Sequence, residues 1–238
     1  MLFFYIRHGD PIYNPDSLTP RGHLQAQALA KRLGLYGIDR VFSSDSTRAL
    51  QTAQPTCDLL RLEPTVCPWA NENRPWERMC VFYENGAREY VFEDPASRRL
   101  LASEEMRRLG NDWGTHPAFC DTTIPACYEE IGRDADAFSE SLGYRHDREQ
   151  HVYIPVAPTE ERVALFAHQA FSMAFLSHVL DIPYPLYATH FDTCHSGMTV
   201  IEFREQDGVV IPKMLQLSND SHLYREGLPT TYQNRLYF

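Results

Sequence analysis

Short unbroken apolar runs alternate with longer amphipathic ones at both ends of this sequence, a pattern that predicts an α/β sheet. Met1 to Ile6 is apolar and aromatic and reads as a buried strand. Turn chemistry follows at Asn14 to Ser17. Thr19-Pro20 then opens a helix, with Thr19 as N-cap and Pro20 at the first helical position. Leu24, Ala28, Leu29 and Leu33 form its inner face, and Gly34 or Gly37 ends it. Val41-Phe42-Ser43 is a second strand. Ser44, Asp45 or Ser46 caps the next helix, whose apolar side holds Ala49, Leu50, Ala53, Cys57 and Leu60, with Pro55 kinking or interrupting it. Thr65 to Trp69 is a third strand candidate.

The middle of the chain is different. Residues 74–159 are richer in charge and aromatics, with helical periodicity from Ala96 to Gly110 and from Pro125 to Leu142. We read this stretch as an inserted, mainly helical cap within a single domain spanning residues 1–238. The α/β pattern resumes with the strand Val163 to Ala167 and a helix from Ala170 to Leu180. Thr199 to Phe203 and Val209 to Leu217 read as two strands around a turn at Asp207-Gly208.

Charge narrows the partners. With 32 Asp+Glu against 22 Lys+Arg and no basic run, the chain lacks the footprint of a nucleic-acid or anionic-membrane binder. An acidic protein can still hold an anion if positive charge is gathered in one pocket. No apolar window reaches the length of a membrane span, and the N-terminal apolar run lacks the basic start of a signal peptide, so a cytoplasmic protein is expected. The six cysteines form no C-x-x-C pair and are expected to be reduced and mostly packed. The ten histidines include no H-E-x-x-H and no Cys/His cluster at ligand spacing, so no metal is expected.

Three segments carry candidate chemistry. Arg7-His8-Gly9 directly follows the first strand, at the edge where open α/β sheets bind ligands. Arg7 can fork onto phosphate oxygens, and a neutral His8 is a competent nucleophile near pH 7. Arg48 falls in the first turn of a helix, where the dipole disfavours a cation unless an anion is near. His168 ends the strand Val163 to Ala167, the same kind of position as His8. Two histidines at comparable strand ends make chance a poorer explanation than either alone.

Together these segments resemble the histidine phosphatase superfamily, which includes the cofactor-dependent phosphoglycerate mutases. Tyr5-Ile6-Arg7-His8-Gly9 resembles the signature that names the family, with Asn14 at a polar position that often follows. Leu18-Thr19-Pro20-Arg21-Gly22 is similar to its Leu-Thr-x-x-Gly helix start. Ser43 to Ala53 is similar to its Ser-Ser-x-x-x-Arg-Ala-x-Gln-Thr-Ala stretch. Phe166-Ala167-His168 matches its late strand and second histidine, and Asn219-Asp220-Ser221-His222-Leu223 resembles a C-terminal segment of many members. The likeness covers both ends of the chain and leaves the middle without a motif.

The resemblance implies a three-layer α/β/α phosphoglycerate mutase-like fold with a mostly parallel central sheet. It implies a metal-independent, cofactor-free phosphoric monoester hydrolase of the histidine acid phosphatase type. His8 becomes the phosphohistidine, while Arg7, Arg48 and His168 cage the phosphoryl oxygens. A general acid is expected after the third strand, at Glu72 or, failing that, Glu77. Asn14, Gln169 and His195 are further substrate-binding candidates, and the substrate is expected to be a small phosphorylated metabolite. Gln169 stands where many members have glycine, and Asp10 where mutases carry glutamate followed by serine. The stretch after Glu72 also lacks the mutases' Arg-His-Tyr-Gly pattern. The last two departures weaken one alternative, a phosphoglycerate-type mutase, while retention of both histidines, both arginines and a plausible acid speaks against another, a catalytically silent binding module on the same fold.

Overall fold

The computed structural model describes residues 1–232 and 236–237. In chain order it begins with β1 (Leu2–Arg7), the hairpin strands β2 (Pro11–Tyr13) and β3 (Asp16–Leu18), α1 (Pro20–Tyr36), β4 (Arg40–Ser43), α2 (Thr47–Leu60) and β5 (Thr65–Val66). There follow α3 (Asn73–Arg78), β6 (Cys80–Phe82), β7 (Arg88–Tyr90), α4 (Pro95–Leu101), α5 (Glu104–Leu109), α6 (Ile124–Ser141), β8 (Tyr144–Asp147) and β9 (Val152–Pro155). The remainder comprises β10 (Arg162–Ala167), α7 (Gln169–Val179), α8 (Tyr184–His190), β11 (Met198–Glu202), β12 (Glu205–Gln206), β13 (Val209–Val210), β14 (Lys213–Asn219) and α9 (Ser221–Arg225). Among the described residues no helix is long and apolar enough to cross a membrane.

The chain divides into two compact units, one of residues 1–71, 157–168 and 193–238, the other of residues 72–156 and 169–192. The first holds a six-stranded sheet in the order β14-β11-β1-β10-β4-β5. The β1–β10, β10–β4 and β4–β5 pairings are parallel, and the β1–β11 and β11–β14 pairings at one side are antiparallel. Alternate residues of the central strands, Phe4 and Ile6, Ala164 and Phe166, Met198 and Val200, pack on one face against Leu29 and Leu33 of α1 and Ala53 and Cys57 of α2. The second unit contains α3 to α8 with the β6–β7 and β8–β9 hairpins. Trp113 is buried there, its ring within 5.7 Å of Phe119, Tyr128 and Tyr184.

Local chemistry explains the element ends. Thr19 Oγ1 accepts from Gly22 N at 3.0 Å, and Gly37 closes α1 in the left-handed region at φ 67°. Ser46 is the cap of α2, accepting from Ala49 N at 3.3 Å, and each such cap is worth about 1 kcal/mol. Glycine is required at position 22, where a Cβ would stand 2.3 Å from the carbonyl oxygen of Asp10. That close approach presses the loop after β1 onto the start of α1.

Several expectations are corrected. Leu24 is 49% exposed and does not belong to the inner face of α1. Gln25 is buried instead, because its Oε1 accepts from Asp10 N at 2.7 Å. Pro55 sits inside an unbroken α2. The third strand is only Thr65–Val66, and Pro68–Ala70 turns into 3-10 helix. The 96–110 stretch is two helices, because Ser103 caps afresh by accepting from Met106 N at 3.3 Å. The 209–217 stretch breaks at Ile211-Pro212 into the short β13 and the longer β14.

Candidate active site

The parallel register of β1 and β10 pairs Arg7 with Ala167, so His8 and His168 leave the sheet side by side. His8 N donates to Ala167 O at 3.0 Å, and the two imidazole centroids are 5.2 Å apart. β4 ends at the same edge, where Ser44 N donates to Phe166 O at 2.9 Å, and α2 brings in Arg48 one turn later. β11 starts there in the opposite direction. The segment before it crosses the edge, Ser196 N donating to His8 O at 3.0 Å and Gly197 O accepting from Arg7 N at 3.2 Å. Arg7, His8, Arg48, His168 and His195 are thereby gathered in the first unit, all buried.

Hydrogen bonds fix the tautomers, because a guanidinium only donates. Arg48 Nη2 donates to His168 Nδ1 at 3.1 Å, so His168 carries its proton on Nε2 and gives it to Ser44 Oγ at 2.8 Å. Arg7 Nη2 donates to His195 Nε2 at 3.0 Å, leaving the proton on Nδ1, 3.6 Å from Asp10 Oδ1. His8 Nδ1 donates to its neighbour's carbonyl, Gly9 O, at 2.7 Å. The lone pair of His8 is therefore on Nε2. Arg7 Nη1 also donates to Thr193 O at 2.5 Å, and Arg48 Nη1 pairs with Asp16 Oδ1 at 2.8 Å. The Nε groups of both arginines are buried and find no hydrogen-bond partner among the described residues.

Burial and the guanidinium charges shape the histidines' proton affinity. Burial first, then Arg7 and Arg48, holds His8 well below the usual histidine range. Burial, followed by the neighbouring His8 and the two arginines, does the same to His168. His195 is depressed by burial, Arg7, His8 and Arg21 in that order. All three are neutral at pH 7, which suits a nucleophile and acceptors better than three more cations would.

Of the remaining candidates, Glu72 and Gln169 have local partners of their own. Asn14 is exposed at the turn between β2 and β3, with a cis peptide bond to Pro15. Glu72 and Gln169 belong to the second unit. Glu72 accepts from the N-terminus of α7, Oε1 from Ala170 N and Oε2 from Phe171 N at 2.9 Å each, and Tyr90 Oη donates to Oε1 at 3.3 Å. Gln169 Nε2 donates to Asp192 Oδ1 at 2.6 Å. Glu77 is exposed on α3. Sequence reasoning missed Asp16, the carboxylate on Arg48, because a hairpin turn residue carries no mark of its distant partner. Ser44 was visible as a capping candidate and within the family-like Ser43 to Ala53 stretch, but not as the partner of His168 that it is. Among the described residues, no group of three or more His, Cys, Asp or Glu side chains is placed to hold a metal ion.

Comparison with known proteins bears on the family and the fold. Residues 3–87 match the family model of the histidine phosphatase superfamily (branch 1), so the resemblance read from the sequence holds over that stretch. Curated proteins give no match. Among solved structures, a mutant of Entamoeba histolytica phosphoserine phosphatase in complex with phosphoserine aligns with TM-score 0.60 and 17% identity, over 93% of this chain and 98% of that one. A mycobacterial glucosyl-3-phosphoglycerate phosphatase complexed with VO3 gives 0.59 and 17%, over 90% and 97%. The alpha-ribazole phosphatase from Shigella flexneri gives 0.56 and 20%, over 92% and 97%. The fold is the phosphoglycerate mutase-like α/β fold with a mostly parallel central sheet.

The buried histidines make stability depend on pH. Below about pH 6.5 the unfolded chain takes up protons that folded His8, His168 and His195 refuse, so stability held above that pH is lost as pH falls. Each fully engaged histidine costs about 1.4 kcal/mol per pH unit. The urea midpoint is expected to fall steeply between pH 7.5 and 5.5; a constant midpoint would contradict neutral burial.

Proposed function

We propose that this protein is a metal-independent phosphomonoesterase that transfers a phosphoryl group to His8 and then to water. The observation that carries the reading is the pair of buried, unpartnered guanidinium Nε groups beside an imidazole whose Nε2 holds a lone pair. Leaving a buried charged donor unsatisfied costs about 1–3 kcal/mol or more, and a phosphoryl group offers the oxygens that both lack. The superfamily match over residues 3–87 and the phosphatases that share the fold support the same chemistry.

In the first step His8 Nε2 attacks phosphorus, the bond from phosphorus to the leaving oxygen breaks, and that oxygen takes a proton. Arg7, Arg48 and His168 stabilise the charge on the equatorial oxygens. In the second step water attacks the phosphohistidine, the P–N bond breaks, and phosphate departs. Because the histidine is neutral before attack, no proton has to be removed from it. His195 orients Arg7 and lines the cage, and Asn14 and Gln169 are assigned to substrate contacts.

Glu72 is assigned as the proton donor of the first step and the acceptor of the second. Asn71, the residue before it, donates to Asp45, which sits between His168's partners Ser44 and Ser46. Ala170 N and Phe171 N donate to the two carboxyl oxygens of Glu72. The substrate class is a small phosphorylated metabolite, the kind bound by the phosphoserine phosphatase of like fold. A mutase would instead return the phosphoryl group to an isomer, and phosphate release separates the two.

His8→Ala is expected to lower aryl-phosphate hydrolysis by at least about 10³-fold, because no intermediate forms; near-normal turnover in a phosphate-release assay would remove the mechanism. Glu72→Gln is expected to slow alkyl phosphates far more than nitrophenyl phosphate, whose leaving group needs little protonation. Equal losses across leaving groups would reduce Glu72 to a cap on α7.

A further inference from the structure

A cavity of about 310 Å³ lies between α1 and α9, lined by Ala28, Lys31, Arg32, Leu35 and Tyr36 on one side and by Ser221, His222, Arg225 and Glu226 on the other. Its volume is at the lower end of the ~300–1,000 Å³ typical of small-molecule sites. None of its lining residues belongs to the histidine–arginine cage.

The lining has a definite chemistry. Lys31 Nζ is paired with Glu226 Oε2 at 2.5 Å, which cancels the one carboxylate present. Among the described residues Arg32 donates to the neutral Gln216 Oε1 at 3.4 Å and makes no ion pair, and its guanidinium is 6.0 Å from the Tyr36 ring centroid. Arg225 is exposed and makes no ion pair among the described residues. Two surplus guanidinium charges in a chain of formal net charge −10 are a local reversal of sign. Tyr36 and Leu35, the latter 77% exposed, supply an apolar wall beside them. The opposite wall is fixed, because His222 is 2% exposed and its Nε2 is 2.9 Å from Ser196 Oγ.

We propose that this cavity is a second ligand site, for a small aromatic or heterocyclic phosphate whose anion meets Arg32 and Arg225 and whose ring lies on Tyr36 and Leu35. A guanidinium pair suits a phosphate dianion, and a tyrosine face with an exposed leucine suits a flat ring. Neither the cage nor its chemistry is needed for this inference.

The test is calorimetric titration of the full chain with phenylphosphonate, which carries the ring and the dianion and cannot be hydrolysed. Wild type is expected to bind two equivalents, one lost in Arg48→Ala and the other weakened at least tenfold in Arg225→Glu and restored in Arg225→Lys. If stoichiometry and affinities are the same in wild type and Arg225→Glu, the cavity is not a ligand site. A single equivalent that Arg225→Glu abolishes and Arg48→Ala spares would uphold the cavity while refuting the phosphate cage. Methylphosphonate, which lacks the ring, should bind the cavity more weakly than phenylphosphonate; equal affinity there would refute the role of the apolar wall.

Discussion

Arg7 and Arg48 are buried at one edge of the sheet, and among the described residues only Arg48 has a carboxylate, Asp16, in direct contact. Arg7 is met by a backbone carbonyl and an imidazole, both neutral. Taking a cation out of water without a counter-charge is among the more expensive arrangements a protein makes, of order several kcal/mol per ion. The surroundings follow from accommodating it. Three histidines beside the arginines are held neutral, their ring nitrogens turned so that two accept from guanidinium and one keeps a lone pair. In the function proposed above, a phosphoryl group completes the charge balance.

The sheet makes that arrangement reproducible. Three parallel strands, β1, β10 and β4, end at one level, and antiparallel β11 begins there, so residues distant in sequence meet without long loops. Gly22 lets the start of α1 approach Asp10, Gln25 ties the Asp10 amide, and Thr52 Oγ1 accepts from Gly9 N at 2.9 Å. The loop that carries His8 is thus held from both helices that cover the sheet face. Rigid support of this kind is what positions a reacting group to within a fraction of an ångström.

Much of this was legible in the sequence because the signals were local. A six-residue apolar strand followed by a charged turn marks a strand end, and Thr19-Pro20 and Gly37 mark a helix's limits by capping chemistry. The same reasoning failed where a distant partner decided the outcome. Gln25 displaced Leu24 from the core face because of a hydrogen bond to another element, and Asp16 found Arg48 across 32 positions. The split between α4 and α5 was readable in principle, since Ser103-Glu104-Glu105 is a helix start, but the surrounding periodicity masked it. Why α7 belongs with the second unit although it directly follows β10 is a tertiary fact that no local pattern encodes.

The account stands on one covalent bond, between phosphorus and Nε2 of His8. Rapid acid-free quenching of the full chain during turnover of a radiolabelled aryl phosphate, followed by peptide mapping, tests it directly. A base-stable, acid-labile label on the peptide containing His8, formed and lost at rates consistent with turnover, is the predicted result. Steady hydrolysis with no protein-bound label, or a label on another residue, would contradict it.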